Sequence, residues 1–145
     1  MNDALQQSIE DLLQLPHLTP EAVGEALGIT LEPTAGTSFF AMYEVKLPAG
    51  EARPDGVTSV ELRAPLQPKG AQDGLLVIEL AGIALTLRDA VARRGHPAQL
   101  LPSMPEDPQR TLSAWYPLPG GILKLVFDAT AATLCRFVID RTERR

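Results

Sequence analysis

Cysteine, histidine and aromatic side chains are scarce in this 145-residue chain, and each scarcity removes a class of explanation. Cys135 stands alone, so the chain forms no internal disulfide. It lies in an apolar run and reads as buried packing. The two histidines, His17 and His96, each neighbour a proline and are far apart in sequence. That is not the ligand spacing of a zinc site, and both read as loop or capping residues rather than general bases. Neither a metal nor a cofactor is expected, and no residue is singled out as catalytic. Bases are also few: 13 Lys and Arg against 18 Asp and Glu leave a net charge of −5. A protein that grips a phosphate backbone needs the opposite balance, so nucleic acid is not an expected partner.

Long hydrophobic runs are missing too. The most apolar stretch, Gly74 to Leu87, is broken by Glu79 and is too short to cross a bilayer, so no membrane association is expected. The first residues are acidic and lack the basic start and apolar run of a signal peptide, which makes the cytoplasm the expected compartment. No glycine-rich loop precedes a helix, because Gly120-Gly121 lies between two strand-like segments, and no Gly-x-Ser-x-Gly elbow occurs. The acid pairs Glu10-Asp11 and Glu106-Asp107 are adjacent in sequence and diverge in space. The expectation is a binding protein and not an enzyme.

What the chain does contain is the material of one globular domain, residues 1–145. Hydrophobic residues make up 45% and charged residues 21%, enough to build a core without disulfide or metal support. Leu5, Ile9, Leu12 and Leu13 recur at helical spacing, and Pro16 stops that helix. A second helix opens with Thr19 as N-cap and Pro20 at its first position, and closes at Gly28. A third spans about 86–94, with Thr86 as cap, Asp89 in the first turn, Arg93 and Arg94 in the last, and Gly95 as the stop.

Six strands complete the expectation, over 38–47, 57–64, 74–81, 111–118, 121–128 and 133–141. In the first, Phe39, Ala41, Tyr43, Val45 and Leu47 alternate with Phe40, Met42, Glu44 and Lys46. In the second, Thr58, Val60, Leu62 and Ala64 alternate with Ser59, Glu61 and Arg63. Such alternation is the mark of an antiparallel sheet with one wet face. Tyr43, Val60, Leu62, Val77, Leu80, Leu123, Leu125 and Phe127 form the expected core. Segments 74–81 and 121–128 are apolar on both faces, so their pattern does not specify a register. The connection Pro48 to Gly56, the proline-bearing segment 97–110, Pro-Gly-Gly at 119–121 and residues 129–132 read as loops or turns, and Arg141 to Arg145 as a frayed tail.

The two halves, 18–81 and 85–141, share an order. Leu18-Thr19 opens the helix that ends at Gly28, and Leu85-Thr86 opens the helix that ends at Gly95. Each helix is followed by three expected strands, the first bearing aromatics that end in tyrosine: Phe39-Phe40-Ala-Met-Tyr43 and Trp115-Tyr116. Either a duplicated helix-plus-three-strand unit or coincidence accounts for this order, and the expected fold is α+β: a mostly antiparallel sheet of about six strands with helices on one face. This arrangement resembles the tandem helix-and-sheet scaffold of β-lactamase inhibitor protein and its relatives. The resemblance implies binding of another protein through the exposed concave sheet face. The chain departs from the extracellular inhibitors in lacking cysteine pairs and a secretion signal. Small acidic cytoplasmic bacterial proteins of this look include immunity proteins that neutralise toxins.

The wet face would carry Phe40, Met42, Glu44 and Lys46, then Ser59, Glu61 and Arg63, and beyond them Trp115, Lys124 and Arg136. Aromatic and arginine groups in a mixed-charge field match the composition of interface centres. Phe40, Glu44, Glu61, Arg63, Trp115, Lys124 and Arg136 are therefore the expected partner-binding residues. The opposing reading is that Trp115 and Phe40 lie beneath a loop such as 97–110. The expected function is stoichiometric binding of a toxin or effector as an immunity protein. Alternatives are a cytoplasmic type III secretion chaperone, which the chain resembles in size, acidity and element order, and a small ligand-binding protein or enzyme. A homodimer seam is a further reading of an apolar face. Charge is also uneven: residues 1–80 hold 12 acids and 4 bases (−8), and residues 81–145 hold 6 acids and 9 bases (+3).

Overall fold

A computed structural model describes residues 3–34, 36, 40–47, 53–66, 73–130 and 132–142. The helices follow their local signals. Helix α1 (Asp3–Leu13) buries Leu5, Ile9 and Leu12 and exposes Gln7 and Asp11. Helix α2 (Pro20–Leu27) begins where the Thr19 hydroxyl accepts the Ala22 N–H at 3.1 Å, and it ends at Gly28. Gly28 takes φ 68°, a left-handed turn that costs glycine nothing. Helix α3 (Leu87–Arg94) opens on a reciprocal capping box: the Asp89 N–H donates to the Thr86 hydroxyl, and the Thr86 N–H donates to the Asp89 carboxylate. Those bonds from Thr86 hold the Asp89 carboxyl below the usual carboxylate range. Leu18 and Leu85, each just before a cap, are both buried. Among the described residues no helix is long and apolar enough to cross a membrane.

The strands are β1 (Glu32–Thr34), β2 (Phe40–Lys46), β3 (Val57–Pro65), β4 (Leu75–Leu80), β5 (Gln99–Pro102), β6 (Thr111–Leu118), β7 (Gly121–Asp128) and β8 (Leu134–Asp140). They form one sheet in the order β1-β2-β3-β4-β8-β7-β6-β5, and every neighbouring pair is antiparallel. The sheet thus has eight strands where the sequence predicts about six. The two extra strands are its edges, β1 and β5, and both are exposed along their whole length. Each contains a proline, Pro33 or Pro102, which an edge strand tolerates because one side of its backbone needs no ladder partner. The repeating pattern in the chain is therefore one helix followed by a four-strand meander, not three strands. The two meanders meet at β4 and β8. Between β6 and β7, Leu118 pairs with Gly121 across Pro119-Gly120, and Gly120 takes φ 80°.

All three helices pack on one face. Leu5, Ile9, Leu12, Val23, Leu27 and Ala90 share a single core with Val60, Leu62, Leu76, Ile78, Leu123, Leu125, Phe127, Phe137 and Ile139. Val60 and Leu62 are buried as the alternation predicts, and Leu80, Leu123, Leu125 and Phe127 are buried as expected of the core. Tyr43 is only half-buried, because β2 lies one strand from the edge. Val77 corrects the expectation. Leu76, Ile78 and Leu80 take the core side of β4 and turn Val77 to the opposite face, an outcome the doubly apolar run could not predict. The assignment in β3 also shifts at its start. An irregularity between Val57 and Ser59 buries Val57 and exposes Thr58.

Two arginines fasten the helix ends to the sheet. Arg141, read from sequence as part of a frayed tail, donates to the Leu15 carbonyl at 2.7 Å and to the Leu13 carbonyl at 3.0 Å. It thereby satisfies the carbonyls that the end of α1 leaves open. Arg53 does the same for α2 through the Leu27 carbonyl at 2.7 Å and also pairs with Asp55. A third link joins α3 to α1, with Arg94 on Glu10 at 2.7 Å. Ser38, Phe39, Pro48 to Ala52 and Glu143 to Arg145, which the sequence assigns to a strand, a loop and the tail, lie outside the described residues.

The uncovered sheet face

The face opposite the helices carries no helix or second sheet among the described residues, although Val126 on it is buried, and the strand register orders it into rows. The central row crosses the whole sheet: Glu32, Glu44, Glu61, Val77, Val138, Lys124, Trp115 and Gln99 are successive cross-strand partners. A second row runs Thr34, Met42, Arg63, Leu75, Asp140 and Ile122, with Phe40 beyond Met42 on β2. A third runs Lys46, Ser59, Glu79, Arg136, Val126, Ser113 and Leu101. Because cross-strand partners project to the same side, all seven residues expected at a partner surface share this face.

The register distributes the outward residues unevenly across the face. Glutamates crowd β1 to β3, aliphatic side chains occupy the central strands, and a lysine beside a tryptophan marks the far side. The Lys124 ammonium stands 4.4 Å from the centre of the Trp115 ring, within cation–π range, and 3.6 Å from Asp140. Arg136 pairs with Glu79, and Arg63 pairs with Glu61 at 3.2 Å. Glu61 and Arg63 are consecutive outward residues of β3, so this pair is local to one strand. Trp115 is half-buried. Part of segment 97–110 is β5, which extends the sheet in plane and sets Gln99 opposite Trp115.

Sequence reasoning missed Glu32, Leu75, Val77, Glu79, Val138 and Asp140 on this face. Glu32 sits on an unrecognised strand, and the others belong to runs whose periodicity does not distinguish their two sides. Two depressions mark the β2–β4 side. One, of about 400 Å³, is lined by Phe40, Met42, Arg63, Leu75 and Thr142. The other, of about 230 Å³, has Glu44, Glu61 and Glu79 in its walls along with Lys46, and Val77 in its lining.

Nothing in this arrangement resembles an activated nucleophile or a metal centre. Among the described residues no group of three or more His, Cys, Asp or Glu side chains could hold a metal ion. Burial pushes the Cys135 thiol up, away from the thiolate form that nucleophiles and metal ligands need, and its Sγ donates to the Val126 carbonyl at 3.4 Å. Thermal melts recorded with and without a chelator, and with and without a reductant, are expected to superimpose. A chelator-induced fall of several degrees would reveal an unrecognised ligand set. Comparison with family models, with characterised proteins and with solved structures finds no match to this chain.

Proposed function

We propose that this protein acts by stoichiometric binding of another protein through the uncovered sheet face, in its most concrete form as an immunity protein that neutralises a toxin or effector. The observation that carries the reading is the central row. It joins acidic, aliphatic and aromatic-basic sectors on a face that carries no described helix or second sheet. Leu75, Val77, Ile122 and Val138 are half-buried at this face, and a contiguous apolar patch left partly open to water favours association. Tryptophan and arginine are the residue types that most often carry interface energy. Several charged groups already meet a partner within the chain, which reduces the ordering cost of association. A mixed-charge field orients an incoming protein and suppresses wrong ones more than it tightens the complex.

The test is to isolate the partner from the native host and measure its affinity for alanine variants at Trp115, Glu61, Arg63 and Arg136. Trp115→Ala is expected to weaken binding by about 2 kcal/mol or more, roughly 30-fold, with the variant still folded by circular dichroism. If all four variants hold the partner unchanged, the sheet face is not the binding surface. The partner's identity separates a toxin from a secretion substrate, and a complex made only of this chain would indicate a homodimer seam.

A further inference from the structure

The two depressions on the β2–β4 side share three strands, each contributing consecutive outward residues, and Thr142 beyond β8 completes the apolar one. Strand β2 supplies Met42 to the apolar depression and Glu44 to the acidic one. Strand β3 supplies Arg63 and then Glu61, and β4 supplies Leu75 and then Val77. Outward residues two apart along a strand are about 7 Å from each other, so the two subsites are separated by that step. The apolar depression has room for a leucine, methionine or phenylalanine side chain. In the acidic one, Glu44 faces Glu32 on one neighbouring strand and Glu61 on the other. Like charges directly opposite each other destabilise a sheet. Glu61 has Arg63, whereas Glu44 has no ion-pair partner among the described residues. Lys46 lies one outward position further along β2, on the side away from the apolar depression.

Resting on the sheet-face reading, we infer that the occupant of this side is an extended segment of the protein partner with an apolar side chain and, two residues along, a lysine or arginine. An extended chain repeats its side-chain direction every two residues, which matches the step between the subsites. The apolar group fills the space between Phe40, Met42 and Leu75, and the cation settles on Glu44. Charge complementarity decides the occupant: among the described residues Glu44 and the facing Glu32 have no ion-pair partner, whereas Glu61 and Glu79 have Arg63 and Arg136. The apolar centre and the Trp115 sector then contact the rest of the partner.

The test pans a displayed library of random 12-residue peptides against the full chain, then measures Kd for a synthetic peptide of the enriched sequence. Enrichment of an apolar-x-Lys/Arg pattern is expected. Glu44→Lys is expected to weaken the peptide about tenfold, and a peptide carrying glutamate in place of its base should recover affinity on that variant. Rescue by the swapped charge would not arise from a merely structural effect of the substitution. Peptides that respond to Trp115→Ala and Val138→Glu but ignore Glu44→Lys, or that lack a base, overturn this inference and leave the sheet-face reading standing. Peptides indifferent to every variant of the face overturn both. Absence of any enriched sequence binding below about 1 mM, or self-association that Val138→Glu abolishes, overturns the inference as well.

Discussion

Replacing Asp55 with alanine is expected to lower the unfolding free energy by about 3 kcal/mol, the low end of the range for breaking a buried ion pair. Asp55 is only 4% exposed, the one charged residue buried among the described residues, and it ties together three parts of the chain. Its carboxylate accepts from the Arg53 guanidinium at 3.0 and 3.1 Å, from the Ser8 hydroxyl of α1 at 3.0 Å, and from the Val57 N–H at 3.2 Å. Arg53 in turn holds the Leu27 carbonyl at the end of α2. Removing the carboxylate leaves the guanidinium and two further donors short of an acceptor. Arg53 retains some exposure, which is why the low end of the range applies.

The same network sets a pH dependence with a definite sign. Burial alone would raise the Asp55 carboxyl, but the Arg53, Val57 and Ser8 hydrogen bonds outweigh it and hold the group below its ordinary value. A carboxyl depressed in the folded state contributes stability that is complete above its unfolded pKa of about 3.9. That stability is lost as pH falls through the folded value. The melting temperature of the parent chain should therefore fall on acidification below about pH 4 more steeply than that of Asp55→Asn. Parallel acid limbs for the two proteins would show that Asp55 is not the group responsible.

Truncating Phe137 to alanine is the second large effect, expected at about 3–5 kcal/mol, which corresponds to a fall of roughly 10 °C or more in melting temperature. Phe137 is fully buried on β8, paired with Ile78 of β4 on one side and Leu125 of β7 on the other. It thus stands at the junction where the two four-strand meanders meet. A cavity there removes contacts from both halves at once, so the loss should appear as the downward shift of one cooperative transition. Two separable transitions, one of them unmoved by the substitution, would show instead that the halves fold independently. Leu101→Ala, on the exposed edge strand β5, serves as the control and should change stability by less than about 0.5 kcal/mol.

The division between what was legible and what was not follows the range of the interactions. Thr19, Pro20 and Gly28 around α2, and Thr86 and Asp89 at α3, act within one turn of backbone, so their meaning can be read residue by residue. Pro119-Gly120 is equally local. The alternation of Phe40 to Lys46 and Ser59 to Arg63 revealed a wet face because each outward position there is mostly polar. The same argument failed in β4, where Leu75, Val77 and Glu79 face outward and Leu76, Ile78 and Leu80 inward. A run that is apolar at five of six positions fits either register.

The sequence by itself determined the three helices with their caps, six of the eight strands, the hairpin between β6 and β7, and the scarcity of groups suited to metal or nucleophilic chemistry. Only the tertiary structure decided that Glu32–Thr34 and Gln99–Pro102 are edge strands, that Val77 and Val138 join the face opposite the helices, and that Arg141 clamps α1. It also decided that the glutamates of β1 to β4 share one surface with Lys124 and Trp115. The reason is physical: an exposed edge strand of three or four residues, proline included, has little preference of its own and exists because a neighbour offers it a ladder of hydrogen bonds.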